Sequence, residues 1–552
     1  MALLQQSEIA APPDARSLPE LLEATAARFP GRPAIAFFGR RWTFAQLREL
    51  VERVAHGLQL HGVGKDARVG LCLPNTPYSA IFYYAILKAG GTVVNYNPLY
   101  VERELLHQMR DSTTRIMVVP DLAAIHGKVA NVAAAAGLRR IIVCPMRSVL
   151  PPAKAALFAL LRRREHSRVP RDDRHISFAR LLDGAGKPDA VPIRAGSDVA
   201  VLQYTGGTTG TPKGAMLTHA NLTANSRQVI EHMPSLRPGE ERLLGVLPLF
   251  HVFAMTTVLN VGVELGAEMI LLPRFEIRQV MRCIARDKPT LFPAVPTIYA
   301  AINAAAGHTK ADLSSIRICI SGGAPLPEEV RLRFQTLTGC RLVEGYGLSE
   351  ASPVVACNPP DGEIRPGSVG IPVRGTTVEI RNPDHPHRMF GVGEKGEVCV
   401  RGPQVMAGYW RRPEETKAVF VDGALRTGDI GYLDADGYLF LVDRIKDIII
   451  CGGYNVYPRV LEEALYRHPA VAEAVAIGIP DAHRGQSPTA FVTLRAGATA
   501  TSEELLAHLA GYVSRIEMPK AVEIRTSLPK TMIGKLSKKE LIEEARQRAG
   551  PT

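Results

Sequence analysis

Long hydrophobic runs are missing from this sequence: nowhere in its 552 residues do about 18 uncharged apolar residues follow one another, so no membrane-crossing helix is expected. Residues 1–12 show no basic cluster leading into an apolar run, so no secretory signal is expected either. Cysteine is sparse. The eight thiols at 72, 144, 283, 319, 340, 357, 399 and 451 form no C-x-x-C pair, which argues against a zinc site. Most sit in apolar runs, as Cys319 does between Ile318 and Ile320, and this predicts buried free thiols in a reducing, cytoplasmic compartment. Aromatic residues make up 6% of the chain and are not interleaved with basic ones in the stacking pattern of nucleic-acid modules. The net charge of +12 therefore does not by itself argue for a nucleic-acid partner. Tandem repeats and low-complexity tracts are also absent.

What is present is the composition of a globular protein, with 46% hydrophobic and 22% charged residues. At roughly 150 residues per domain the length suits three or four compact units. Ser17 with Glu20, Thr43 with Gln46, Thr501 with Glu504 and Ser537 with Glu540 have the spacing of helix capping boxes. Strand-length apolar runs at 67–73, 92–95, 115–119 and 140–144 alternate with such helices. This predicts an α/β fold with parallel sheets flanked by helices over the first 340 residues. From 367 to 441 short runs at 376–381, 396–401 and 438–442 are separated by Gly, Asp and Pro turns, the texture of a small antiparallel sheet or barrel. After Lys446 the pattern becomes α+β: a helix near 458–467, strands at 471–479 and 489–494, and a helix at 502–513. A large domain over 1–445 and a small one over 446–552 are the expectation.

The strand pattern at 200–204 runs directly into Thr205-Gly-Gly-Thr-Thr-Gly-Thr-Pro-Lys-Gly214. Glycines 206, 207 and 210 let backbone N–H groups turn toward an anion, threonines 205, 208, 209 and 211 add hydroxyls, and Lys213 adds a cation. The composition suits a polyphosphate. It is not a Walker A loop, because Thr211 and Pro212 separate Gly210 from Lys213.

This loop resembles the signature phosphate loop of the adenylate-forming superfamily, which comprises acyl-CoA synthetases, peptide-synthetase adenylation domains and firefly luciferases. Further blocks resemble that superfamily in the same order. They are Pro248-Leu-Phe-His-Val-Phe-Ala-Met255, Ser321-Gly-Gly-Ala-Pro325, Glu344-Gly-Tyr-Gly-Leu-Ser-Glu350, Arg426-Thr-Gly-Asp429, Asp443-Arg-Ile-Lys-Asp447 with Gly452-Gly-Tyr-Asn-Val-Tyr-Pro458, and Pro529-Lys-Thr-Met-Ile-Gly-Lys535. Together they cover about residues 200 to 540, and the string 453–458 looks most like bacterial long-chain fatty acid CoA ligases. Two positions depart from the pattern: Ser349 stands where Thr is commoner and keeps the hydroxyl, and Ile533 stands where a small or polar residue is usual.

The resemblance implies a carboxylate attacking the α-phosphate of ATP, with magnesium pyrophosphate leaving and the acyl group then passing to coenzyme A. Such a step needs positioning and cations more than general bases. It implies catalytic roles for Lys535, Glu350, His251 and Thr208, with Glu350 as magnesium ligand. Thr205, Gly206, Gly207, Thr208, Thr209, Gly210 and Lys213 would hold the phosphates. Gly323, Ala324, Pro325, Glu344, Gly345, Tyr346, Gly347 and Ser349 would surround adenine, with Tyr346 free to stack between glycines. Asp429 and Arg444 would hold the ribose. His251, Val252, Phe253 and Met255 would border the acyl pocket. The small domain would rotate about Lys446, withdrawing Lys535, and Gly452, Gly453 and Tyr454 would then line the CoA channel. Against these stand plainer readings: a solvated acid at Glu350, a core aromatic at Tyr346, a satisfied core histidine at His251, and a basic tail around Lys535, where Lys530, Lys538 and Lys539 crowd.

The apolar residues after His251, with no basic residue placed for a second carboxylate, favour a monocarboxylic acid, and the whole-sequence resemblance favours a medium- to long-chain fatty acid. An aryl or short-chain acyl-CoA ligase, a ligase that stops at acyl-adenylate, a luciferase-type oxygenase and a non-catalytic acyl or adenylate carrier are the alternatives; the carrier predicts loss of Lys535 or Glu350, and both are present. Between Arg147 and Arg180 nine basic residues oppose three acids, half of the whole net charge. With Leu157, Phe158, Leu160 and Leu161 beside Arg162, Arg163 and Arg164, residues 153–180 suit a helix lying on anionic lipid at the inner face of a membrane, or a solvated insertion. A homodimer is the remaining partner expectation.

Overall fold

The computed structural model describes residues 16–184, 186–205, 212–306, 311–481, 483–531 and 535–549. Capping chemistry fixes where several helices begin. Ser17, Thr43 and Thr501 each accept the N–H three residues on while Glu20, Gln46 and Glu504 reach back to the cap N–H, starting helices at Leu18–Arg28, Phe44–Leu60 and Ser502–Leu509. The last of these ends four residues before the expected 513. At Ser537 the hydroxyl donates to the Glu540 carboxylate just ahead of the helix Lys539–Ala549. Thr218 and Asn221 form a further box that sequence reading missed.

Two large sheets carry the first 370 residues. One has seven strands in the order His175–Ser177, Arg140–Cys144, Ile116–Pro120, Arg68–Leu71, Thr92–Asn95, Val199–Thr205, Lys213–Thr218. All its pairings are parallel except the last, where Val199–Thr205 turns back antiparallel onto Lys213–Thr218. The strands on either side of the expected phosphate loop are thus antiparallel neighbours. The other sheet has nine strands, with Glu268–Leu271, Arg242–Gly245, Leu291–Ala294, Ile318–Ser321 and Arg341–Gly347 parallel in its middle and antiparallel strands at both ends. Strands such as Leu291–Ala294 and Ile318–Ser321 are buried along their whole length, as helix-covered parallel strands are.

A five-stranded antiparallel sheet follows, with Thr377–Arg381, Gly396–Arg401 and Ala424–Leu433 adjacent and both Phe420–Val421 and Leu439–Arg444 paired to Ala424–Leu433. The chain then crosses a short 3₁₀ turn, Ile445–Asp447, into a last five-stranded sheet built around the long pair Val471–Asp481 and Gly485–Leu494. Apolar packing respects this crossing: the buried clusters before it reach Leu441, and those after it begin at Ile449. The expected helix runs over Pro152–Leu161 and buries no residue; Leu157, Leu160 and Leu161 are 55%, 76% and 68% exposed.

Candidate active site

The C-terminal ends of the parallel strands open onto a cleft of about 2850 Å³ that also meets the last sheet's lobe. This is where open α/β sheets place ligands. Lys535 reaches into it from the far side. Gly323 has a positive φ of +85°, and a Cβ there would collide with Lys535 Cε and stand 3.0 Å from Nζ, so the lysine stem lies against the bare glycine backbone. Burial, and secondarily the charge of Arg444, bring the Lys535 ammonium down to about 8, while Asp429 opposes the shift. Its basic neighbours are placed otherwise: Lys530 pairs with Glu473 and Lys538 with Glu462, both on the small lobe, and Lys535 alone of the three is directed at Gly323.

Asp429 is the hub of the wall beside it. One carboxylate oxygen accepts the Tyr346 hydroxyl at 2.6 Å and the other forms an ion pair with Arg444 Nε at 3.0 Å. Tyr346 and Asp429 are both buried. The tyrosine is thus tied to the carboxylate expected to hold ribose, with its ring among the cleft-lining residues. Gly345 and Gly347 flank it. A side chain at Gly347 would run into the Pro353 carbonyl, so that glycine answers a close approach of strands as well as an open face. Glu397, absent from the sequence reading, orders the turn before Asp429 by accepting Arg426 Nε at 2.8 Å and the Gly428 N–H at 3.2 Å.

Glu344 accepts the Leu326 N–H at 3.3 Å, and burial pushes its carboxyl up to about 7 against the pull of Arg459. Gly323, Ala324, Pro325 and Ser349 line the same cleft. His251 caps the short helix Val252–Ala254 by accepting the Phe253 N–H at 3.3 Å. Burial first, and then the Lys535 charge, hold its imidazole down to about 3, so it is neutral. Val252 and Phe253 line the cleft with it. Met255 is fully buried and opens a π-helical run, Met255–Asn260, of the kind that often marks a functional site. Gly322 leaves room for the Phe253 ring, 3.0 Å from where its Cβ would be.

Glu350 sits in the 3₁₀ turn Ser349–Ala351 and accepts the Tyr409 hydroxyl at 2.8 Å. Among the described residues no three His, Cys, Asp or Glu side chains are grouped to hold a metal alone. A single carboxylate at the cleft edge fits magnesium, which takes most of its remaining oxygens from phosphates and water. Tyr409 was missed from sequence; its signal was an aromatic pair, Tyr409-Trp410, directly behind Gly408. Of the phosphate-loop residues, Thr205 lines the cleft, while Gly206, Gly207, Thr208, Thr209 and Gly210 lie outside the described residues. Lys213 pairs with Glu415 and stands 5.3 Å from the Tyr409 ring centroid, which puts it beside the Glu350 cluster.

The expected CoA-channel residues Gly452, Gly453 and Tyr454 are not at the cleft in this arrangement. Gly452 and Gly453, with φ of +58° and +83°, are the two-residue turn of a hairpin between Ile449–Cys451 and Tyr454–Val456. Nothing lies within 4 Å of where their side chains would be, and Tyr454 is 61% exposed. Their glycine identity is explained here by the left-handed backbone of the turn, not by a neighbour's close approach. Lys446 lines the cleft edge from the crossing turn.

Comparison with known proteins places these features in context. A profile described as AMP-binding enzyme matches residues 22–410, and one described as AMP-binding enzyme C-terminal domain matches residues 460–535. A long-chain-fatty-acid–CoA ligase of Bacillus subtilis (strain 168) is 43% identical over 533 residues, covering 96% of this chain and 94% of the relative. One of Escherichia coli O157:H7 is 38% identical, covering 96% and 95%. A feruloyl-CoA synthase of Amycolatopsis sp is 35% identical over 93% of this chain and 96% of its own length. Among solved structures, the anthranilate CoA ligase AuaEII in complex with anthranoyl-AMP superposes with a TM-score of 0.87 at 26% identity, covering 98% and 99% of the two chains. ATP-bound MatB from Rhodopseudomonas palustris gives 0.83 at 29% identity over 96% and 99%.

Proposed function

This chain belongs to the AMP-binding enzyme family, and from that premise we propose that it is an ATP-dependent ligase that joins medium- to long-chain fatty acids to coenzyme A through an acyl-adenylate. The observation that carries the reading is Lys535 seated against Gly323, between neutral His251 and the Asp429–Arg444 pair. A fatty carboxylate attacks the α-phosphorus of ATP and pyrophosphate leaves. Both reactants are anions, and an ammonium held at their meeting point, out of bulk water, lowers the repulsion and stabilises charge on the phosphoryl oxygens. Asp429 holds the ribose through its remaining lone pairs, and Tyr346 and the 323–325 backbone hold adenine. Thr205 to Lys213 cradle the phosphates, and Glu350 holds magnesium, which neutralises polyphosphate charge when bound.

In the second step the thiol of coenzyme A loses its proton, its sulfur attacks the acyl carbon, and the C–O bond to AMP breaks so that AMP leaves. We place the divide between the domains at residues 445–446 and the hinge at Lys446. The interruption of apolar packing between Leu441 and Ile449 supports this. Rotation there would remove Lys535 and bring the Gly452–Gly453 turn and Tyr454 to the cleft.

The cleft lining includes the apolar Val229, Met233, Val354, Cys357, Val369 and Val373, which suits an alkyl chain. The likeness to a feruloyl-CoA synthase favours one other reading, an aryl ligase. Pyrophosphate release with acetate, benzoate, octanoate and palmitate, each with and without coenzyme A, decides: the fatty-acid reading expects octanoate and palmitate to lead with thioester formed, and a lead by benzoate overturns it. All eight cysteines are free and buried, in keeping with a reducing cytoplasm. The bare leucine face of the helix Pro152–Leu161 beside its arginines supports peripheral contact with anionic lipid. Sedimentation with anionic vesicles at low and high salt tests it, and no binding at low salt refutes it. Among the described residues no helix is long and apolar enough to cross a membrane.

A further inference from the structure

The small lobe meets the large one at more than Lys535. Arg495 ends the strand Gly485–Leu494, where its Nε donates to the Val471 carbonyl at 3.0 Å and its backbone N–H to the Ala470 carbonyl at 2.9 Å. These bonds fix the guanidinium and leave its outer fork projecting from the lobe. Both fork nitrogens meet the two carboxylate oxygens of Glu329, Nη1 on Oε1 and Nη2 on Oε2. Glu329 lies in the first turn of the helix Glu328–Thr338, where the helix dipole favours an acid. That helix continues directly from Ser321-Gly-Gly-Ala-Pro325, the wall on which Lys535 rests. Among the described residues no other ion pair joins residues 16–447 to residues 448–549. Arg459 faces Glu344 across the same boundary without an ion pair of its own there; its Nε is held by Glu463 at 2.8 Å.

We propose that the Glu329–Arg495 pair is a latch that holds the small lobe in the arrangement that seats Lys535, and that it must part before the thiol step. The proposal rests on the two-step reading above. Its geometry gives it purchase: a bidentate Arg–carboxylate contact is planar and directional, so it defines an angle between lobes as well as a distance. Its exposure keeps it weak enough to open in every cycle, since half-exposed pairs at 37% and 54% are worth little individually. Glu329 and Arg495 touch neither reacting atoms nor nucleotide in this reading; they are positioning residues.

The test compares Glu329→Arg, Arg495→Glu and the charge-swapped double variant, with neutral Glu329→Gln and Arg495→Gln to cover a reversal that fails to fold. Two rates are read: acid-dependent exchange of labelled pyrophosphate into ATP, and thioester formation from preformed palmitoyl-adenylate and coenzyme A. Each single variant should lose about fivefold in exchange, the scale of one such pair, and hold or gain in thioester formation. The swapped double should recover most of the exchange rate, and high salt should narrow the gap between wild type and singles. Closure is also read without turnover, by energy transfer between dyes on Leu337→Cys and Glu503→Cys, since the native cysteines are all buried. Transfer should fall in the singles and return in the double. A double variant no better than either single, or equal loss in both half-reactions, overturns the latch. Wild-type protein lacking any acid-dependent exchange would instead sink the two-step reading, and the dye pair would still decide the latch.

Discussion

The Lys535 charge helps to hold His251 neutral. Both are driven toward their neutral forms, the lysine to about 8 and the histidine to about 3, chiefly by burial. The sign for activity is direct: the useful form of Lys535 is the protonated one, so in free enzyme it is lost as pH rises through about 8. Accordingly kcat/KM for ATP in pyrophosphate exchange should fall about tenfold per pH unit above that point, because kcat/KM reports free-enzyme ionisations. Lys535→Arg, which stays charged to beyond pH 12, should abolish that alkaline limb even if its overall rate is lower. A limb that persists unchanged in the arginine variant assigns it elsewhere. His251, neutral throughout this range, should contribute no limb near pH 6.5. Tyr346 shows how a residue can satisfy two readings: it is buried, as the core-aromatic alternative required, and it is hydrogen-bonded to Asp429, as a site residue.

The 3₁₀ turn Ile445–Asp447 is the short element on which the proposed two-step cycle depends. Lys446→Pro would fix φ there and remove an N–H donor. It should leave pyrophosphate exchange within about threefold of wild type while cutting thioester formation by roughly two orders of magnitude, on the scale of positional losses in catalysis. Rapid-quench assays of the separate half-reactions check this, and equal loss in both would count against a hinge at this turn. Elements of this kind separate what sequence reveals from what it hides. Strands 92–95, 140–144 and 396–401 were read to the residue, because turn residues bound each apolar run on both sides. The antiparallel return of Lys213–Thr218 was not, since the residues around the anion loop have the same local pattern whether the chain turns back as a strand or enters a helix. Site residues carried by contiguous motifs, such as Asp429 or Glu350, were visible for the same reason. Tyr409, Glu397 and Glu415 were not. Each acts by touching a motif residue at least 29 positions away in the chain, a pairing that no contiguous motif spells out.

Taken as a whole, the molecule is two lobes with separate apolar cores meeting over one cleft that residues of both line. Separate cores let the lobes turn without opening either apolar core, so the energetic demand of rotation falls on the contacts between lobes, Lys535 among them. The arrangement described here has the lysine in and the glycine hairpin out. The most direct measurement is acid-dependent exchange of labelled pyrophosphate into ATP by Lys535→Ala, alongside thioester formation from preformed palmitoyl-adenylate. Exchange should fall by about 10²- to 10³-fold, the usual loss when one electrostatic stabiliser of a transition state is removed, with thioester formation changed by less than about threefold. Exchange at the wild-type rate would contradict the account.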